Sequence, residues 1–229
     1  MVNDSFLNAV ELPYPLPPWR HRFRTLSVFC EVDDNELAKR IPKPLRLSSN
    51  IVQFTVMHFE STVPNRPYYD SAVITQVEHK GKLGGNWLYG FTSTDQVLCG
   101  TREIWGYNMK LADIELHLDQ ERIWGCTTRL GRRIVDIKMH VTGKSFAIPE
   151  LFPRLFVKAL PAADGAVAMQ RQVVMMVAET EVSQMVWGEA TISCEESSHD
   201  PIQCLSIKRI IGANFTSGSQ ILNWGKVLK

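Results

Sequence analysis

Apolar and polar residues alternate along most of this chain, in short runs broken by glycine, proline and asparagine. That pattern predicts strands rather than helices. Leu26 to Val32, Ile51 to Glu60, Ser71 to Val77 and Asn86 to Thr92 each read as a strand, rich in the β-branched and aromatic residues that suit a pleated surface. Turns are predicted over Thr62 to Tyr69, which carries prolines and an asparagine, and over Lys80 to Gly85, which carries glycines. Further on, Ile114 to Leu118, Ile123 to Leu130, Arg133 to Val141 and Ile202 to Ile210 read as strands, and Gln172 to Val186 as a central strand or a bent pair. Trp187-Gly188-Glu189-Ala190 marks a bend. The helical pattern is confined to three short stretches. Asp33-Asp34 starts a helix over Glu36 to Arg40 that Pro42 stops. Ser93 or Thr94 caps a second through Val97, Leu98 and Glu103, which Gly106 ends or bends. Pro149 to Val157 reads as a third. Gly212 to Lys229 has no assignable pattern.

The expected class is therefore α+β but mainly β: one domain over 1–229, built as an antiparallel sheet or barrel with short helices at its ends. The proline-rich segment Glu11 to Trp19 and the arginines after it make residues 1–24 an extended arm on the surface or on a neighbouring subunit.

Composition narrows the function by exclusion. The formal net charge is +1 over 229 residues, with no strong basic or acidic block, which argues against a nucleic-acid or membrane-surface partner. No apolar run is long enough to span a bilayer, and Met1 to Glu11 has no secretory pattern, so a cytoplasmic location is expected. The five cysteines (Cys30, Cys99, Cys126, Cys194, Cys204) are scattered and odd in number, which fits free buried thiols and no disulfides. The six histidines show no metal-ligand spacing, so no metal is expected. There is no Gly-x-Ser-x-Gly elbow and no phosphate-cradling loop.

The stretch that invites chemistry is Gly100 to Asp113. It sets Arg102, Glu103 and Lys110 among Ile104, Trp105, Tyr107 and Met109. Such mixing occurs on a surface or along a partly dry pocket. A lysine in a dry pocket has a lowered pKa, and its neutral amine can attack a ketone to give an imine. Upstream, Arg20, His21, Arg22 and Arg24 form either a solvated basic turn or a clamp for a carboxylate.

Gly-Thr-Arg-Glu-Ile-Trp-Gly-Tyr-Asn-Met-Lys-Leu-Ala resembles the signature of the acetoacetate decarboxylase family, in which Gly-Arg-Glu, an aromatic and then Pro-Lys-Lys-Leu are typical. Leu37, Ile41-Pro42, Pro44-Leu45, Phe54, the Tyr68-Tyr69-Asp70-Ser71 turn, Gly81 and Gly84 match in type and spacing. Trp187-Gly188 and Ile207 to Ile210 fit more loosely. The resemblance implies a barrel-like, homo-oligomeric subunit with an apolar pocket, no cofactor, and a lysine that forms an imine with a β-keto acid.

The chain departs from that pattern where the chemistry is done. Met109 stands at the imine-forming lysine, and Lys110 keeps the second lysine. Asp70 takes the place of an acidic residue one methylene longer. Thr55 falls on an earlier glutamate, and the pocket arginine falls on or beside Phe23, which leaves Arg22 or Arg24 to replace it. Three readings are open. In the first, Lys110 turns inward as the imine lysine, against the alternation of an extended segment. In the second, the pocket works without an imine, using fixed charges beside a developing enolate. In the third, it only binds a small acid. The second is preferred. It describes a lyase-like enzyme that decarboxylates, dehydrates or cyclises a β-keto or polyketide-like carbonyl acid. Its nominated catalytic residues are Lys110, Asp70 and Glu103. Arg22, Arg24, Met109, Tyr107, Trp105 and Phe91 are nominated for substrate binding. Arg102–Glu103 can equally be a structural ion pair, and Tyr107, Trp105 and Phe91 can equally be wall and core.

Overall fold

The computed structural model describes residues 12–64, 66–119, 122–165 and 168–229. The strands among them are β1 (Trp19–Val32), β2 (Arg46–Val63), β3 (Tyr68–His79), β4 (Lys82–Thr92), β5 (Met109–Leu111), β6 (Asp113–Asp119), β7 (Arg122–Arg129), β8 (Arg132–Val141), β9 (Arg154–Pro161), β10 (Ala168–Met176), β11 (Ala178–Ser193), β12 (Ile207–Leu222) and β13 (Lys226–Leu228). They join in one sheet ordered β13-β10-β9-β4-β3-β2-β1-β12-β11-β8-β7-β6, with β5 paired to β4 off this path. The sheet is open, because β13 and β6 end it without pairing to each other. Of the two expected forms, sheet or barrel, the one that forms is the open, mostly antiparallel sheet.

Two cores form because alternate residues of a strand face opposite sides. Leu26, Val28, Phe54, Val56 and Val73 face one side, where Ile123, Ile134 and Ile137 of the β7–β8 end fold back over them. Phe23, Phe29, Met57, Phe59, Tyr68 and Ile74 face the other, against Trp19, Trp105, Tyr107, Met109, Phe156 and Val174. The candidate site lies on this second face.

The helices are short, and their caps are those the residues suggest. Asp33 Oδ1 accepts from the backbone N–H of Asn35 at 3.0 Å and of Glu36 at 3.1 Å, opening α1 (Asp34–Ala38). Thr94 caps α2 (Asp95–Gly100), which continues as a π-helical turn, Thr101–Trp105. Gly106 stops the turn at φ +87, and a Cβ there would lie 2.7 Å from the Lys158 Cα.

Several expected elements change. Residues 19–24 are not an arm but the start of β1, paired on both sides with β2 and β12; the arm up to Glu11 lies outside the described residues. Tyr68 to Ser71 opens β3 rather than forming a turn, and Asn65 of the preceding loop is outside the described residues. The expected bend at Trp187 to Ala190 lies within β11, which pairs with β8 from Gly188 onward. Ile202–Leu205 is a 3-10 turn, and the unassigned tail continues as β12 and β13. Pro149 to Val157 is not helical: residues 142–153 form an irregular strap, and β9 starts at Arg154. The strap's carbonyls are used by a neighbouring strand, since the Gly85 N–H donates to the oxygens of Leu151 at 3.0 Å and Pro153 at 2.9 Å. At its other end Thr142 and Gly143 donate to the Trp187 oxygen, and Phe146 packs on Phe29 and Trp187. All five cysteines are free. Among the described residues no helix is long and apolar enough to cross a membrane.

Candidate active site

Beneath the strap lies a cavity of about 220 Å³ on the second face of the sheet. The pleat builds it row by row. Phe23, Thr25 and Ser27 of β1 stand beside Phe59, Met57 and Thr55 of β2, and Phe59 and Met57 in turn beside Tyr68 and Asp70 of β3. Gly218, Thr216 and Asn214 of β12 flank the same β1 residues on the other side. Trp87, Tyr107 and the strap residues Ile148 and Phe152 close it. Among the described residues that line it, Asp70 and Arg154 are the only charged side chains.

Both are buried, at 5% and 7% exposure. Burial disfavours the charged form of each. It raises the Asp70 carboxyl to about 8, against a hydrogen bond from Thr92 that favours the carboxylate. Thr92 is its cross-strand partner on β4. At neutral pH Asp70 is therefore mostly a neutral acid in an apolar wall. Burial lowers the Arg154 guanidinium to about 10, which leaves it charged. Its Nη1 donates to the Leu151 oxygen at 2.8 Å, and its Cζ lies 4.1 Å from the Phe152 ring centroid. Room for it comes from Gly85, where a Cβ would lie 2.4 Å from Arg154 Nη1 and 2.4 Å from the Leu151 oxygen. Tyr107 lies under the influence of both groups, and its hydroxyl is raised chiefly by burial. Its ring packs on Phe156 at 3.8 Å and edge-on to Trp87 at 4.9 Å. Asp70 Oδ1, Gln53 Oε1 and Trp87 Nε1, all on lining residues, are buried without a protein partner.

Of the nine residues nominated from the sequence, the structure brings Asp70 and Tyr107 to this cavity. Lys110 is turned away, because strand alternation sends Met109 inward and Lys110 outward. Its Nζ donates to Asp200 Oδ1 at 2.5 Å and to the His199 oxygen at 3.2 Å. Asp200 is buried at 1% and also accepts from Arg129 Nε at 3.0 Å. Lys110 is thus one arm of a structural clamp. Met109 is buried in the core beside Gly90, next to the cavity but not among its lining residues. Glu103 is exposed, accepts from the Tyr14 hydroxyl at 2.6 Å and faces no part of the cavity; Arg102 donates instead to the Met109 oxygen at 3.3 Å. The alternative of an Arg102–Glu103 ion pair is not what forms. Arg22 and Arg24 point to the opposite face of β1 from Phe23, and Arg24 pairs with Glu60 there. Trp105 is core, donating to the Asn223 oxygen at 3.0 Å, and Phe91 belongs to the other core.

Sequence reasoning missed Arg154. The signal was present: Phe152-Pro153-Arg154-Leu155-Phe156 sets one charge among large apolar residues, the same feature that singled out Gly100 to Asp113. Among the described residues no group of three or more His, Cys, Asp or Glu side chains could hold a metal ion.

The chain matches the family model described as acetoacetate decarboxylase over residues 10–229. It is 23% identical over 242 residues to an acetoacetate decarboxylase of Burkholderia ambifaria, covering 99% of this chain and 97% of that one. Its fold is that of the acetoacetate decarboxylase of Legionella pneumophila, with a TM-score of 0.88 at 22% identity over 96% of this chain and 90% of that one. The enduracididine biosynthesis enzyme MppR, in its complex with pyruvate, also shares the fold, with a TM-score of 0.82 at 14% identity over 96% of this chain and 93% of that one. The chain belongs to the acetoacetate decarboxylase family.

Proposed function

We propose that this protein is a lyase that acts on a small β-keto acid or a related carbonyl acid without a covalent amine, and that Asp70 and Arg154 carry the reaction. The family supports a decarboxylase-like activity. The observation that carries the finer reading is the pairing of one buried acid, Asp70, with one buried guanidinium, Arg154, in a single mostly apolar cavity. A thioether at position 109 cannot form an imine, and the nearest lysine in sequence is bonded to Asp200.

In this reading Arg154 lies beside the substrate's carbonyl oxygen. The bond between the α-carbon and the carboxylate breaks, carbon dioxide leaves, and the electron pair moves into an enolate whose negative oxygen faces the guanidinium. Such preorganised charge is worth most where water is excluded. Asp70 then gives its proton to the α-carbon and is reprotonated from water, so that one keto-acid carboxylate and one proton yield one ketone and one carbon dioxide. Dehydration or cyclisation of a longer carbonyl acid would instead form its enolate by loss of an α-proton to the carboxylate form of Asp70, which is the minor form at neutral pH, with Arg154 again facing the enolate oxygen. The cavity holds roughly seven waters' worth of space at ~30 Å³ each, which favours a short acid. That MppR is seen with pyruvate accords with a small keto acid in this fold. We further infer a cytoplasmic homo-oligomer that needs no cofactor.

A panel of β-keto acids assayed for carbon dioxide release or loss of water tests the reading. Asp70→Asn and Arg154→Met should each lower kcat by about 10²-fold or more while leaving the circular dichroism spectrum unchanged. Full activity in both variants, or silence across the panel with tight binding of carboxylates, would contradict it.

A further inference from the structure

His21 is 3% exposed and lies behind the cavity wall, between two residues that line the cavity. Its Nδ1 is 3.3 Å from Gln220 Nε2, and its Nε2 is 3.4 Å from the Tyr68 hydroxyl. Its ring packs against Phe59 at 4.8 Å and Tyr68 at 5.6 Å. An amide nitrogen carries only hydrogens to give, so Nδ1 must accept from Gln220. That places the imidazole proton on Nε2, where it donates to the Tyr68 oxygen. With that oxygen accepting from His21, the phenol's own O–H is directed elsewhere. Tyr68 lines the cavity, and Asp70, two residues along β3, shares its face.

We propose that Tyr68 is the hydrogen-bond donor to the oxyanion that forms in this cavity, and that His21, oriented by Gln220, is the positioning residue that fixes its polarity. This rests on the enolate reading above for the origin of the oxyanion. The protonation states agree with it. Burial lowers His21 to about 4, so the ring stays neutral and can accept and donate at once. Burial keeps the Tyr68 phenol protonated well beyond its ordinary range. A neutral donor that costs no reorganisation as charge develops is the arrangement that selectively lowers the transition state.

The test uses acetylacetone, a β-diketone whose enolate has its own ultraviolet absorbance, titrated against pH on the intact protein. On the wild type its ionisation should move down by about one unit or more, because a fixed donor favours the charged form. Tyr68→Phe should reduce that shift, leaving only the part that Arg154 supplies, and lower kcat by roughly 10²-fold with little change in KM. His21→Phe should lose part of the shift, and His21→Gln, which keeps an N–H near the ring's far edge, should recover some of it. Thermal melts establish that each variant is folded, and either His21 variant stands in if Tyr68→Phe is not. An unshifted diketone on the wild type, or an equal shift in Tyr68→Phe or His21→Phe, overturns the proposal. A shift that depends on Tyr68 without turnover of any β-keto acid would overturn the reaction reading while sparing this one; turnover indifferent to Tyr68 would do the reverse.

Discussion

Asp70 ties stability to pH, and in the proposed reaction it ties the rate to pH as well. Its carboxyl titrates near 3.8 in an unfolded chain and at about 8 here. Between those values the folded state holds a proton that the unfolded state has released. Stability from this group is therefore fully present at low pH, declines as pH rises from about 4 to about 8, and is level above. Calorimetric melts from about pH 5 to about pH 9 should show the wild type losing melting temperature relative to Asp70→Asn, which has no such proton. Parallel curves would contradict the buried-acid assignment. The proton-donor role predicts a rate that is flat at neutral pH and falls above about pH 8. At this scale the sequence was partly readable. Asp70 could be found because it keeps an acid where the family has one. Lys110 could be named but not oriented: its partner Asp200 is 90 residues away, and only strand alternation at Met109 decides which neighbour turns inward. Arg154 is obscured because Pro149 to Val157 has the pattern of a short helix.

The site depends on two elements meeting, the strap of residues 142–153 and the Gly84–Gly85 stretch of β4. The Gly85 N–H holds the strap through Leu151 and Pro153, and its missing side chain admits the Arg154 guanidinium. Gly85→Ala should therefore cost about 1–3 kcal/mol by overpacking and raise KM about tenfold or more, since Arg154 and the strap must both shift. Urea melts and steady-state kinetics check this, and a variant unchanged in both would show that the contact does not hold the site. The two-residue period made β1 to β4 and the Thr94-capped helix legible. It failed at the strap, whose backbone bonds go to Gly85 and Trp187 far along the chain, and at Tyr68-Tyr69-Asp70, where tyrosines in a strand resemble a turn after the prolines before them.

At the scale of the molecule, the β11 edge over Ala178 to Val186 has no strand partner among the described residues beyond β12. Val182 and Met185 on it are exposed at the cavity mouth, together with Ile148 and Phe152 of the strap. An open edge beside an apolar rim is a surface that proteins seldom leave uncovered, and a second copy of the chain would cover it. Light scattering should return a multiple of the 26.0 kDa chain mass for the wild type and a lower mass for the double variant Val182→Lys, Met185→Lys; a wild-type monomer would refute this assembly. That the sheet stays open, with its β7–β8 end folded over one face, could not be read from strand periods, which specify faces and not closure. The proposed carbonyl reaction runs on a buried acid and a buried guanidinium with no covalent link to the protein. Mass spectrometry of the protein after borohydride treatment during turnover of a β-keto acid tests this most directly: carbon dioxide release should continue with the protein mass unaltered, and a substrate-sized adduct on Lys110, with activity lost, would contradict it.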